Sequence, residues 1–248
     1  MPLSRTALDR YLQAVTELQI RVMESQRDTL LETAVRMAEI TQNDQRIFIF
    51  GTGHSHLIAE ESFYRAGGLA NVVPILSEHF MLHSLPTLGS RLERTQGLAD
   101  VILDRYAPEP GEMLFIISNS GVNRLPVEMA MRGRERGVFV VGLSSLAYAR
   151  QAPLSDLGLR LDETVDLALD NGGFPGDALL EMEGLNWRVA PSSTIVNALI
   201  WNGLVAETAQ RLQAAGITPP IYVSLNVAGA AEHNQVLLEK WRPRNIHL

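Results

Sequence analysis

Residues 112–133, EMLFIISNSGVNRLPVEMAMRG, contain the pattern that decides the fold class of this chain. An almost continuous apolar run, residues 112–118, is followed by Ser, Asn and Gly residues and then by a helix-like segment. Strands that are buried on both faces of a parallel sheet have such continuous apolar runs. The segment therefore predicts one strand–loop–helix unit of an α/β protein.

Four further apolar runs extend this pattern along the chain. They occupy residues 46–50, 71–76, 138–143 and 165–170, and helix-like stretches lie between them. Strands that alternate with helices form right-handed βαβ units. We therefore predict an α/β fold with a doubly wound, five-stranded parallel sheet in flavodoxin-like order. Residues 221–226 are expected to form one more strand or an extended edge, and residues 231–241 a last short helix.

The first part of the chain, residues 4–42, has the periodicity of a helix. Tyr11, Val15, Leu18 and Val22 recur at spacings of four, three and four, and a cap at Ser25 would divide the segment into two helices. We predict an N-terminal helical arm, residues 1–45, and one α/β domain, residues 46–248. The arm packs either on its own sheet or against another subunit, and its surplus apolar face favours a homodimer or homotetramer.

Composition excludes several classes of function. The chain has 248 residues, a net charge of −7 and no cysteine, so disulfides, thiolate zinc sites and cysteine nucleophiles are excluded. The acidic balance is unlike that of a nucleic-acid-binding surface, which needs a basic stripe. The sequence contains neither an apolar signal region nor a run of about 18 apolar residues that could span a membrane. We expect a cytoplasmic protein without nucleic-acid or membrane partners.

Ligands of open α/β sheets bind beyond the carboxyl ends of the strands, so the strand-to-helix junctions are the candidate sites. The first is the 51–56 loop, GTGHSH, where Gly51 and Gly53 allow the backbone to approach a ligand. A dinucleotide fingerprint fails here because His56 stands where the third glycine belongs. A plain strand-to-helix turn remains the alternative.

The second junction is the 118–123 loop, SNSGVN. Its hydroxyl and amide donors, together with the start of the following helix, can hold a phosphate without a lysine. A serine nucleophile fails on pattern, because neither Ser118 nor Ser120 lies in G-x-S-x-G. The third candidate, Ser192 to Thr194, either caps a helix or contacts a ligand.

A strand that ends in Ser118-Asn119-Ser120-Gly121 and enters a helix resembles the S-x-S-G-x-[ST] phosphate loop of the SIS (sugar isomerase) domain family. The Gly-x-Gly-x-Ser pattern of residues 51–55 and residues 189–194 fit the same family, over roughly residues 40–215. Asn123 departs from the pattern, because the family usually has Ser or Thr there. The resemblance implies that a phosphorylated sugar is bound by Ser118, Asn119, Ser120, Gly121, Asn123 and Ser55, with Gly53, His54, Ser193 and Thr194 as further substrate contacts.

The resemblance implies a sugar-phosphate isomerase, and leaves a lyase or etherase on an amino-sugar phosphate and a non-catalytic binding module as alternatives. Isomerisation needs a carboxylate or histidine that moves a proton between adjacent carbons. The candidates are Glu183, which precedes the 189–194 segment, and then Glu181, Glu61 and His233. Each also fits an ordinary surface or capping role.

A bound cofactor is not expected. Only two features of the sequence are typical of a protein that binds a nucleotide cofactor. They are Gly51-x-Gly53 and Glu78, a glutamate that follows the second apolar run. A zinc site built on His79 and His83 with the loop histidines is the metal alternative, but the H-E-x-x-H pattern is missing. We therefore expect neither a cofactor nor a metal requirement.

Overall fold

The computed structural model describes residues 6–83 and 85–248. Its central strands are β1 (Ile47–Gly51), β2 (Val72–Pro74), β3 (Met113–Ile117), β4 (Phe139–Ser144) and β5 (Leu167–Asp170). Within the described residues these five strands form a parallel sheet in the order β2-β1-β3-β4-β5. The predicted fold class and the flavodoxin-like strand order are confirmed.

The two central strands, β1 and β3, are buried along their whole length. They pair in register from Ile47 with Met113 to Gly51 with Ile117, so both strands end at the same level. Successive side chains of a strand point to opposite faces. Ile49 and Phe115 accordingly enter one apolar layer, and Phe48 and Leu114 enter the other.

Helices cover both faces of the sheet. They are α1 (Ala7–Ser25), α2 (Arg27–Gln42), α3 (His56–Ser62), α4 (Pro86–Leu92), α5 (Leu98–Tyr106), α6 (Arg124–Glu135), α7 (Leu146–Gln151), α8 (Ser193–Ala214) and α9 (Ala230–Trp241). Apolar residues of α1, α2, α3 and α8 share one core layer with the sheet, and those of α5 and α6 share the other. Within the part of the chain that the structure describes, we find no helix long and apolar enough to cross a membrane.

The N-terminal segment forms two helices, as its periodicity predicts. Ser4 and Arg5 of the predicted segment lie outside the described residues. The bend is at Gln26, and Ser25 is the last residue of α1 rather than a cap of α2. Leu18 and Val22 are 1% exposed and pack in the same core as the sheet, so much of the apolar face of α1 is used within the chain.

One element differs from the sequence prediction, and one of two alternatives is decided. A short antiparallel hairpin, β6 (Ala178–Leu180) and β7 (Val189–Pro191), was not predicted, because three-residue strands carry almost no periodic signal. Of the two alternatives for residues 221–226, the structure has the extended edge: Ile221 makes an antiparallel bridge to Leu69, and no full strand forms.

A buried ion pair lies at the amino ends of the central strands, opposite to the ligand loops. The Arg46 guanidinium donates to both carboxylate oxygens of Glu112, with Nε–Oε1 2.6 Å and Nη2–Oε2 2.7 Å. The Glu112 side chain is fully buried, and it also accepts from Arg244 Nη2 at 3.1 Å. The pair joins the starts of β1 and β3 to the C-terminal segment.

We expect Glu112→Gln to lower the free energy of unfolding by about 3–5 kcal/mol, because it leaves the Arg46 charge buried without its partner. Urea denaturation measures the loss. Glu39→Gln is the matched control, since Glu39 pairs with Arg36 at the surface, where both side chains are about half exposed. This control should cost about 1 kcal/mol or less. Equal losses in the two variants would contradict a structural role for the buried pair.

Candidate functional site

The predicted ligand loops meet at the carboxyl edge of the sheet. β1 is followed by a connection to β2 on one side, and β3 by a connection to β4 on the other, so the strand order reverses between β1 and β3. Ligands of open α/β sheets bind in the crevice at such a switch point. The 51–56 and 118–123 loops border this crevice, because they follow the paired residues Gly51 and Ile117.

The 51–56 loop folds back tightly on its first glycine. A Cβ atom on Gly51 would lie 2.5 Å from the carbonyl oxygen of Ser55, so no other residue fits this turn. Ser55 is partly buried in the short helical turn before α3, and His54 is exposed. Gly53 has a φ of +58°, in the region that glycine adopts without strain.

The next residue, His56, is almost completely buried at the start of α3. Its Nδ1 lies 3.1 Å from Glu60 Oε1, and its Nε2 is buried with no hydrogen-bond partner among the described residues. Burial lowers the pKa of His56, against a smaller opposite effect of the Glu60 hydrogen bond and charge. The imidazole is therefore held in its neutral form at pH 7.

The 118–123 loop is tied to the sheet at its beginning and opens a helix at its end. Ser118 is 6% exposed, its backbone N–H donates to Leu143 O, and its carbonyl accepts from Gly121 N at 3.0 Å. Asn123 is the N-cap position of α6, and no side-chain capping bond is formed there within the described structure. Among the first three residues of α6, Leu125 donates its N–H to Glu93 O and Pro126 has no N–H, which leaves the backbone N–H of Arg124 for an anion.

A cavity of about 550 Å³ lies beside this loop, and Ser120, Asn123, Arg94, Arg124 and Tyr148 contribute to its wall. Arg124 is 7% exposed. Its guanidinium bonds Asp156 at 2.5 Å and lies 3.7 Å from Glu128, whereas its Nε is buried without a partner in the described part of the chain. Two guanidinium groups thus border the loop of a protein whose net charge is −7.

Glu93 joins the two loops across the switch point, and sequence reasoning missed it. Its Oε2 accepts from Thr52 Oγ1 at 2.9 Å, and its carbonyl oxygen accepts from Leu125 N at 2.9 Å in the first turn of α6. Its other carboxylate oxygen bonds Arg94 Nη1 at 2.7 Å. Glu93 directly follows α4, away from any strand end, so no local pattern could have identified it.

The ends of β4 and β5 add polar groups that the sequence analysis also left out. Ser145 Oγ donates to Gly173 O at 2.6 Å, and Ser145 N donates to Asn119 O at 2.9 Å. Asn171 Nδ2 donates to Asn119 Oδ1 at 2.9 Å and to Asn197 Oδ1 at 3.0 Å. The density of Ser, Asn and Gly after β4 and β5 was a usable signal, because the same strand-end rule applies to these junctions.

The serine cluster at the start of α8 is engaged within the chain. Asp177 accepts from the backbone N–H of Ser193 at 2.8 Å and from its hydroxyl at 2.7 Å. It also accepts from Ser192 N at 3.2 Å, and Thr194 next to it is partly buried. A carboxylate from the loop before β6 thus occupies the helix N-terminus that the sequence offers to a ligand.

The predicted acid–base residues lie in three separate places. Glu183 and Glu181 are exposed between β6 and β7, and Glu181 bonds Arg188 Nη2 at 2.5 Å. Glu61 forms an ion pair with Arg65 and accepts from Asn202 Nδ2 at 3.3 Å, so it faces α8. His233 is exposed on α9, with Nε2 2.8 Å from Ile221 O. Within one chain, none of the contacts of these four side chains reaches the 118–123 loop in the described structure.

Among the described residues, no three His, Asp or Glu side chains are placed to bind one metal ion. The possible zinc ligands His79 and His83 belong to the segment between β2 and α4, and both are exposed. Their i,i+4 spacing in the sequence is not that of a helix here, because the short helical turn Glu78–Phe80 ends before His83.

Comparison with known proteins places these features in a family. A family model described as SIS domain matches residues 10–145. A UPF0309 protein of Halalkalibacterium halodurans is 40% identical over 235 residues, which cover 94% of each chain.

Solved structures show the same fold at low identity. A phosphoheptose isomerase from Francisella tularensis is 14% identical with a TM-score of 0.55, covering 83% of this chain and 100% of that one. The Vibrio vulnificus NanR protein, complexed with ManNAc-6P, is 14% identical with a TM-score of 0.51, covering 97% of this chain and 70% of that one. The family match spans more than half of the sequence and includes β1, β3 and the 118–123 loop. This chain belongs to the SIS domain family.

Proposed function

We propose that this protein binds a phosphorylated sugar with its phosphate on the 118–123 loop. The observation that carries the proposal is the loop itself. Hydroxyl and amide side chains follow β3, the start of α6 closes the loop without a side-chain cap, and a cavity of about 550 Å³ adjoins it. The ManNAc-6P complex of the Vibrio protein, which shares the fold, supports the choice of a sugar phosphate.

The local electrostatics of this loop suit an anion in an acidic protein. Backbone N–H groups at a helix start carry a partial positive charge that is independent of net charge. Arg94 and Arg124 lie along the same cavity, and their carboxylate partners hold them in place. The phosphate would therefore anchor the ligand, while the sugar extends toward the crevice between β1 and β3.

We further propose that the bound sugar phosphate is isomerised between its aldose and ketose forms. A base removes the proton from the hydroxyl-bearing carbon next to the carbonyl group, and the carbonyl oxygen takes up a proton, which gives an enediol. The other hydroxyl group then loses its proton and becomes the new carbonyl group, while the base returns its proton to the neighbouring carbon. The fold shared with a phosphoheptose isomerase supports an isomerase without identifying its substrate. The reaction needs a carboxylate within reach of the sugar but no redox partner.

The geometry favours Glu93 for this proton transfer. Its carboxylate bonds Thr52 in the 51–56 loop, and its backbone bonds the first turn of α6, so it lies beside both loops. Glu183 and Glu181 remain predictions, and because they lie on an exposed hairpin that packs against α1, we propose that they could act only at the site of a second subunit. Glu61 and His233 likewise remain predictions.

A homodimer or homotetramer is part of the proposal. Leu8, Leu12 and Ile20 on α1 are 75%, 64% and 54% exposed, and their spacing in multiples of four places them on one stripe. Apolar side chains of α1, α2 and α8, among them Met23 and Leu30, line an adjoining groove. An exposed apolar stripe of this kind is typical of a subunit interface.

Light scattering at micromolar concentration should give the mass of a dimer or tetramer. Leu12→Glu should shift the mass toward the monomer, because a charge in the stripe opposes its burial. Arg21→Gln is the control and should leave the mass unchanged, because Arg21 is also exposed on α1 but does not stand at a multiple of four from the stripe residues. A wild-type monomer would contradict the proposed assembly.

The double substitution Ser118→Ala and Ser120→Ala should abolish the thermal stabilisation that sugar phosphates produce. Each hydroxyl bond to a charged phosphate contributes about 1.5–3 kcal/mol, so the pair should weaken binding by about 100-fold or more. Differential scanning fluorimetry against a panel of sugar phosphates measures the effect. Ser224→Ala serves as the control, because Ser224 lies in the segment after Ile221, outside the strand-end loops. An unchanged shift in the double variant would place the phosphate elsewhere.

Glu93→Gln should keep substrate binding and lower turnover by about 100-fold or more, since the amide keeps the shape but cannot accept the proton. The same substitution at Glu183, Glu181 and Glu61 tests the other candidates in parallel. Turnover is followed by NMR in D₂O, where an isomerase exchanges the transferred proton for deuterium. If no glutamate variant loses turnover or exchange, the isomerase proposal fails and a binding module becomes the leading account.

A further inference from the structure

We propose that Asn171 is a positioning residue, which turns the Asn119 amide so that its NH₂ group, rather than its oxygen, is presented to the ligand. This inference rests on the proposed phosphate site, because Asn119 lies between the two loop serines, Ser118 and Ser120. It assigns a role to a residue that follows β5 and belongs to neither predicted ligand loop.

The orientation of Asn171 is set by the protein backbone. Its Oδ1 accepts from Gly173 N at 3.0 Å, and a backbone N–H is always a donor. The atom facing Gly173 must therefore be oxygen, and the opposite atom must be nitrogen. A Cβ on Gly173 would stand only 3.0 Å from this oxygen, so a glycine permits the close approach.

The orientation then passes to Asn119. Asn171 Nδ2 has two hydrogens, and it donates to Asn119 Oδ1 at 2.9 Å and to Asn197 Oδ1 at 3.0 Å. Asn119 must accordingly show its oxygen to Asn171. If the Asn119 amide were flipped, two NH₂ groups would face each other, and a donor of the 1% exposed Asn171 side chain would lose its partner.

The backbone of Asn119 is held as well. Its carbonyl oxygen accepts from Ser145 N at 2.9 Å, and Ser145 is itself completely buried. With its backbone and amide oxygen fixed, Asn119 has its NH₂ group left over, and no acceptor for it is found among the described residues. The loop therefore presents one more donor, which suits a phosphate or sugar oxygen and disfavours a cationic ligand group.

The substitution Asn119→Asp tests this directly. One carboxylate oxygen still accepts from Asn171, so the melting temperature of the free protein should stay near the wild-type value. The other oxygen replaces the NH₂ donor with a negative charge. We expect the Kd for inorganic phosphate, measured by titration, to rise by about 10- to 100-fold. An unchanged Kd would overturn the proposal.

A double-mutant cycle separates positioning from a general structural role. Asn171→Ala should raise the Kd for phosphate in the wild-type background and leave it unchanged in the Asn119→Ala background, because the effect passes through Asn119. An equal effect in both backgrounds would show that Asn171 acts on the site as a whole and would refute the positioning role.

The two proposals fail in distinguishable ways. If wild-type protein does not bind phosphate, or Ser118→Ala with Ser120→Ala does not weaken it, the proposed site is wrong. If the serine variant loses binding and Asn119→Asp keeps it, the site stands and the orientation of Asn119 is refuted. If Asn171→Ala fails to fold, the Kd of Asn119→Asp still tests the proposal, because this variant keeps every hydrogen bond of the buried Asn171 amide.

Discussion

The in-register pairing of β1 with β3 is the constraint on which the candidate site depends. Residue by residue, Ile47 pairs with Met113 and Gly51 with Ile117, so both strands stop at one level. The connections that follow must diverge to opposite sides, because β2 and β4 flank this central pair. A crevice with a polar loop on each side results from backbone hydrogen bonding alone, before any side chain is considered.

The polar groups at that edge satisfy one another. Buried polar atoms are costly unless they are hydrogen-bonded, and the carboxyl edge of this sheet collects many of them. Thr52 bonds Glu93, Ser145 bonds Gly173, and Asn171 bonds Asn119. Each of these hydrogen bonds joins segments that are distant in sequence. The polar groups that line the candidate site therefore also hold its loops in position.

Local dipoles and paired charges would reconcile an acidic protein with the proposed anionic ligand. Asp177 fills the N-terminus of α8, whereas the N-terminus of α6 has no such carboxylate from the described chain. The backbone N–H of Arg124 is thus left for an anion at the start of α6, whereas a carboxylate already occupies the start of α8. The Arg124 guanidinium is buried beside the start of α6, where water screens its charge only weakly, and the carboxylates of Asp156 and Glu128 partly balance that charge.

The sequence by itself determined the five strands of the parallel sheet and the loops at their ends. These are local properties: a buried strand needs a continuous apolar run, as in residues 112–118, and a tight turn needs a glycine, as at Gly51. Only the tertiary structure brought Glu93 between the two loops, Asn171 to Asn119, and Asp177 to Ser193. Those contacts join residues between 16 and 52 positions apart, and no periodicity or motif encodes such pairings. They depend on how the helices pack on the sheet. For the same reason Glu183, which the sequence predicts beside a ligand loop, lies exposed on a hairpin. The two strands of that hairpin are too short to produce a periodic pattern in the sequence.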